Sequence, residues 1–149
     1  MLDSFQPLLD AARALDLSET SKAEAVLRER LDPGGEPAQK LKEDLVRLLE
    51  AGEIANRGEL PVKWGRVAKA GPETGGYSID VVLMTGPGPK HRHPKGEIDY
   101  CIALDGEPTF DGHPPGWVVL PADSVHVPTV SGGKMLIVYL LPDGEMEFL

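Results

Sequence analysis

One cysteine in 149 residues, Cys101, leaves the chain without an internal disulfide, and a lone thiol suits a reducing compartment. No apolar run approaches the roughly 20 residues of a membrane span. Lysine and arginine never cluster as they do where phosphates are neutralised, and the formal charge is −9, so nucleic acid is excluded as a natural partner. The opening MLDSFQPLLD lacks the basic flank and unbroken apolar core of a signal peptide. No glycine-rich dinucleotide loop stands between a strand and a helix, which argues against a nicotinamide or flavin. These absences predict a cytoplasmic protein that binds neither nucleic acid nor membrane.

What is present is the composition of a folded domain, 41% hydrophobic and 26% charged. Its texture changes near residue 60. Over residues 1–59 apolar positions recur every three to four: Leu2, Phe5, Leu8, Leu9, Ala12 and Leu15, then Ala23, Val26, Leu27 and Leu31, then Leu41, Leu45, Leu48 and Leu49. This spacing predicts three amphipathic helices. Ser21 and Glu24 fit a capping box for the second, and Pro37 opens the third. Their faces imply packing, against this chain or a second subunit. Over residues 60–149 short runs such as YSIDVVLM, IDYCIAL, WVVLP and KMLIVYLL alternate with GPETGG, GPGPK, DGHPPG and PDG. That is the pattern of antiparallel hairpins in a sandwich or small barrel.

The chemistry concentrates in KHRHPKGEIDY, residues 90–100. Side chains alternate faces along a strand, so His91 and His93 share one face and Arg92 takes the other. Pro94, Lys95 and Gly96 read as a turn, after which Glu97 returns a carboxylate to the same side. His126, after the turn PADS, supplies a fourth group if its strand curls to face the first. A histidine alone is more often a surface or satisfied core residue; three with a glutamate in this arrangement form a ligand set. Such a set suits a divalent Fe, Mn, Ni, Co or Zn ion with positions left open for chemistry. Alternation from Glu97 also turns Asp99 and Cys101 inward. A buried acid must be paired or used, whereas Cys101 reads as a core filler. His113, in DGHPPG, reads as a solvent-exposed turn residue.

These residues resemble the cupin family. Gly86, His91, His93, Glu97 and Gly106 resemble its first motif, and Gly116, Pro121 and His126 its second. Several spacings differ by a residue or two, Asp123 stands in place of a usual glycine, and Val130 where asparagine is frequent. The resemblance implies a mainly β fold: an antiparallel jelly-roll β-barrel with a metal inside, here preceded by a helical segment. More narrowly, NRGELPVKWGRVAK, SIDVVLM, HPKGEIDY and PTVSGGKMLIVYLLPDGEMEF are similar to the 4-hydroxylaminobenzoate lyase family of nitroaromatic breakdown. That likeness implies conversion of 4-hydroxylaminobenzoate to 3,4-dihydroxybenzoate and ammonia.

For such a reaction a metal would polarise oxygen and acidify water, and Glu97 stays open between ligand and acid–base group, with Asp99 as a second proton-transfer candidate. Arg66, with Arg57 behind it, is the candidate partner for the carboxylate of a small aromatic substrate, and Trp64, on the face of Arg66, for its ring. Two other readings fit the same ligands: an Fe-dependent dioxygenase, and a non-enzymatic small-molecule or metal sensor. Apolar helices and strand edges lead to the expectation of a homodimer.

Overall fold

Leucine spacing sets the first third of the chain into helices that cover one face of a sheet. The computed structural model describes residues 1–149. A short 3-10 turn, Leu2–Phe5, leads into α1 (Gln6–Ala12), followed by α2 (Thr20–Arg30) and α3 (Glu36–Glu50). Leu15 falls beyond the end of α1, in a loop entered through Ala14 at positive φ. The expected capping box is not formed. Helix α2 starts at Thr20, so Ser21 lies inside the first turn and makes no cap bond, and Glu24 pairs with Arg28 instead. Pro37 does sit in the first turn of α3, where its missing N–H costs nothing. No helix is long and apolar enough to cross a membrane.

Nine strands follow: β1 (Arg57–Glu59), β2 (Val62–Ala68), β3 (Tyr77–Met84), β4 (His91–His93), β5 (Glu97–Phe110), β6 (Gly116–Leu120), β7 (Ser124–His126), β8 (Val130–Pro142) and β9 (Glu147–Phe148). They form a six-stranded sheet ordered β1-β2-β3-β8-β5-β6 and a three-stranded sheet ordered β7-β4-β9, antiparallel in every pairing. Simple hairpins explain only part of this order. Strand β8 returns from far along the chain to lie between β3 and β5, the crossing that makes a jelly roll. The two sheets are layered and are not hydrogen-bonded into a closed barrel.

The large sheet is covered on both faces. On one, Leu8, Leu27, Leu41 and Leu45 of the helices merge with Ile79, Ile98, Tyr100, Ile102 and Val138 into a single 25-residue core. Two buried hydrogen bonds tie the layers: Trp117 Nε1 donates to the Leu31 carbonyl and the Tyr77 hydroxyl to the Ala12 carbonyl, each at 3.0 Å. On the other, Val82, Met84, Cys101, Phe110, Ile137, Tyr139 and Leu141 form a second core. Strand β5 shows the alternation directly: Ile98, Tyr100 and Ile102 face the helices, whereas Cys101 joins the opposite core. The Leu stripes are therefore satisfied by the chain's own sheet.

Leu27 is fully buried between helix and sheet. Leu27→Ala is expected to cost about 2–5 kcal/mol, the usual loss for a core leucine, read from the midpoint of chemical unfolding. One cooperative transition should persist for helices and sheet together; a separate early helical transition would contradict the shared core.

Candidate metal centre

A sharp reversal between β4 and β5 brings the opening motif together. The N–H of Gly96 donates to the His93 carbonyl at 3.2 Å. Gly96 has φ 85, and an added Cβ would meet the Leu120 carbonyl oxygen at 2.8 Å, so only glycine fits there. His91 and His93 thus leave from the small sheet and Glu97 from the large one, all three buried, with Arg92 turned outward to pair with Asp123 and Glu147. His126 arrives differently from the expectation. Strand β7 does not face β4 from across a barrel but pairs with it, with His91 and His126 as register partners. Direct cross-strand partners lie close enough for side chains to meet. The turn before β7 needs a left-handed residue at Asp123, φ 63, a conformation that aspartate tolerates better than most.

His91, His93, Glu97 and His126 each offer one ligand atom, and these atoms lie within 4.8 Å of one another. His93 Nε2 is 2.7 Å from Glu97 Oε2, and His126 Nε2 is 3.3 Å from both Glu97 Oε1 and His93 Nε2. No donor is aligned for a hydrogen bond to either Glu97 oxygen, and His91 Nε2 is buried without a partner. Donors that each stand about 2.1 Å from one ion are separated by roughly 3 Å. The residues therefore fit a divalent ion.

Protonation agrees with that fit at His91 and Glu97, whereas His126 would release a proton on binding an ion. His91 Nδ1 lies 3.0 Å from the Pro89 carbonyl, which can only accept, so the proton sits on Nδ1 and the lone pair on Nε2. Burial, with repulsion from His93 and His126, lowers the His91 pKa to about 4, keeping the ring neutral. Burial acts to raise Glu97, but the adjoining His126 and His93 imidazoles outweigh it and hold its carboxyl below the ordinary value. For His126 burial opposes charge, while Asp111 and Glu97 overcome it and raise the pKa to about 9. Asp99, fully buried, is pushed well above the carboxylate range by burial and then by the charge of Glu97.

A cavity of about 530 Å³ adjoins the cluster between the two sheets. Its walls include Trp64, Arg66, Asp80, Tyr139, Phe148 and His91. Of the four clustered residues, His91 alone reaches this wall, and Asp99 is not on it. Arg66 is there, but its fork is engaged: Nε and one terminal nitrogen meet Asp80 at 2.7 and 3.3 Å. Trp64 is half exposed, and Arg57 stacks over its ring at 5.4 Å. Cys101 is buried in the core with its thiol pKa raised by burial, and His113 is exposed and apart from the cluster. Sequence reasoning missed Tyr139 and Phe148. Tyr139 sits in an ordinary apolar run and Phe148 in the acidic tail DGEMEFL, and the position of each on the wall depends on strand pairing, Tyr139 opposite Asp80 and Asp99, and Phe148 opposite His91. It also missed Asp111, which touches His126.

A double antiparallel sheet with three histidines and a glutamate gathered between its layers defines a cupin-type protein with a candidate metal site. The chain belongs to the PnbB family, 4-hydroxylaminobenzoate lyase, whose model matches residues 8–148. It is 26% identical to the 4-hydroxylaminobenzoate lyase of Pseudomonas putida over 156 residues, covering 92% of this chain and 88% of that one. Among solved structures it is similar to an RmlC-like cupin protein from Ralstonia eutropha JMP134, at 18% identity and a TM-score of 0.42, over 61% of each chain. It is also similar to a cupin-like protein from Thermotoga maritima, at 18% identity and a TM-score of 0.34, over 59% of this chain and 75% of that one.

Loss of a ligand should weaken metal binding by more than the roughly 10–100-fold that loss of an outer-shell partner costs. His93→Ala is expected to purify with little metal, and His113→Ala with as much as wild type, by elemental analysis. Metal at about 100 times its Kd should stabilise the wild type by about 2.7 kcal/mol. Equal metal in the two variants would contradict the assignment.

Proposed function

We propose that this protein is a metal-dependent lyase acting on a hydroxylamino-substituted aromatic carboxylate, converting 4-hydroxylaminobenzoate and water to 3,4-dihydroxybenzoate and ammonia. The observation that carries this reading is the family match over residues 8–148, which takes in all four clustered ligands and the cavity walls. The cavity has the volume of a small-molecule site. Its aromatic walls suit a benzene ring: Trp64 and Phe148 offer faces, and Arg57, which makes no ion pair, supplies positive charge over Trp64. Arg66 is neutralised by Asp80, so a substrate carboxylate reaching it would compete with that aspartate.

In the reaction the N–O bond breaks as the hydroxyl leaves with a proton, water oxygen bonds to the adjacent ring carbon, and the C–N bond breaks as a second water oxygen replaces nitrogen. The water released from the N–O bond offsets the first water added, so one water is consumed overall, and nitrogen is reduced as the ring is oxidised. A divalent ion held by His91, His93, Glu97 and His126 would supply Lewis acidity and a water of lowered pKa. The chain itself supplies an apolar slot walled by Trp64 and Phe148, a buried carboxylate in Glu97 held below its ordinary pKa, and behind it Asp99, buried with its pKa raised, as a proton-transfer group acting through Glu97. Proton transfer of this kind is worth about 10²–10⁴-fold in rate.

The test is turnover of 4-hydroxylaminobenzoate by metal-loaded protein, following ammonia, 3,4-dihydroxybenzoate and dissolved oxygen. Equal yields of the two products without oxygen uptake are expected. Asp99→Asn should keep its metal but lose about 10²–10⁴-fold in kcat. Oxygen uptake with ring cleavage and no ammonia would favour a dioxygenase, and binding without any product a sensor; either overturns the proposal.

A further inference from the structure

Asp111 belongs to none of the motifs that mark the cluster. It lies in the turn between β5 and β6, fifteen residues before His126, yet its carboxylate is used twice. Oδ2 is 2.6 Å from His126 Nδ1, and Oδ1 accepts the Thr129 N–H at 2.8 Å. The Asp111 N–H in turn donates to the Thr129 carbonyl at 2.9 Å. Asp111 adopts φ 49 to make these contacts, a left-handed backbone open to aspartate but unfavourable for most residues. One residue thus grips both the His126 ring and the backbone three residues beyond it.

A carboxylate only accepts, so it keeps a His126 proton on Nδ1 and leaves Nε2, facing inward, as the nitrogen that would give up its proton for an ion. That nitrogen stands 3.3 Å from both His93 Nε2 and Glu97 Oε1. The other two imidazoles are held differently. His91 leans on the Pro89 backbone carbonyl, and His93 Nδ1 is buried with no partner. Asp111 is therefore the charged group behind the ligand imidazoles, and a charged acceptor both orients a ring and makes it a stronger donor.

Resting on the reading of the cluster as a metal centre, we propose that Asp111 is its positioning residue: it selects the Nε2-ligating tautomer of His126, fixes the ring, and thereby sets how tightly the centre holds a divalent ion. Asparagine cannot replace it. An amide has a single acceptor oxygen, and Asp111 serves two N–H groups. If that oxygen keeps Thr129, the NH₂ faces His126 Nδ1 and drives the ring proton to Nε2, the ligating nitrogen. If it keeps His126, the NH₂ opposes the Thr129 N–H.

The test is titration of Co²⁺ into metal-stripped wild type and Asp111→Asn, followed by the visible absorption of the bound ion, with circular dichroism confirming that both are folded. Affinity should fall about 10–100-fold in the variant and the Co²⁺ band should shift. A folded variant with wild-type affinity and an unshifted band overturns the role of Asp111 while leaving the centre standing. Wild type that binds no Co²⁺ overturns both. Should the variant not fold, ¹⁵N NMR of the wild-type imidazoles with Zn²⁺ bound decides: a proton on His126 Nδ1 supports the role, and one on Nε2 overturns it.

Discussion

Glu97 carries its charge at zero exposure, and much of the protein is arranged around that fact. An isolated buried carboxylate is costly enough that it ordinarily takes up a proton or finds a positive partner. Here burial and the charge of Glu97 raise the pKa of the neighbouring acid, Asp99, while His126 and His93 hold that of Glu97 down. Two inward acids on one strand, Glu97 and Asp99, are thereby shifted in opposite directions. The group that remains charged is the one that faces the imidazoles.

Such a centre needs a rigid, dry floor. The large sheet supplies it because both its faces are buried, one under the helices and one under the small sheet. The N-terminal segment is thus part of the site's support: Trp117, bonded to Leu31, lies on the strand that pairs with Glu97 and Asp99. The small sheet then delivers two histidines from adjacent register positions and a third from the same strand as one of them. Gly96 makes the delivery possible, since the reversal there leaves no room for a side chain.

The cavity beside the centre has a different character. Its apolar wall and half-exposed Trp64 suit a flat ring, and its strongest charges, Arg66 and Asp80, cancel each other across neighbouring strands. A face that contains Arg66 therefore does not by itself make an anion site. The cluster meets this space only at His91, and the C-terminal strand adds Phe148 to its wall.

The periodicities of this sequence determined a good deal by themselves. Spacing of three to four gave the helices, alternation gave the strands, and HxHxxxE set His91 and His93 before a tight reversal and Glu97 after it, all facing inward, because side-chain direction in a strand is a local property. Alternation also turned Asp99 and Cys101 inward. Other features were decided only in three dimensions. That His126 pairs directly with His91, that the Leu stripes meet this chain's own sheet, that Asp80 occupies Arg66, and that Asp111 backs His126 all depend on which distant strands become neighbours. Those pairings minimise exposed edge and apolar surface over the whole chain at once, a global balance that no short window of residues contains.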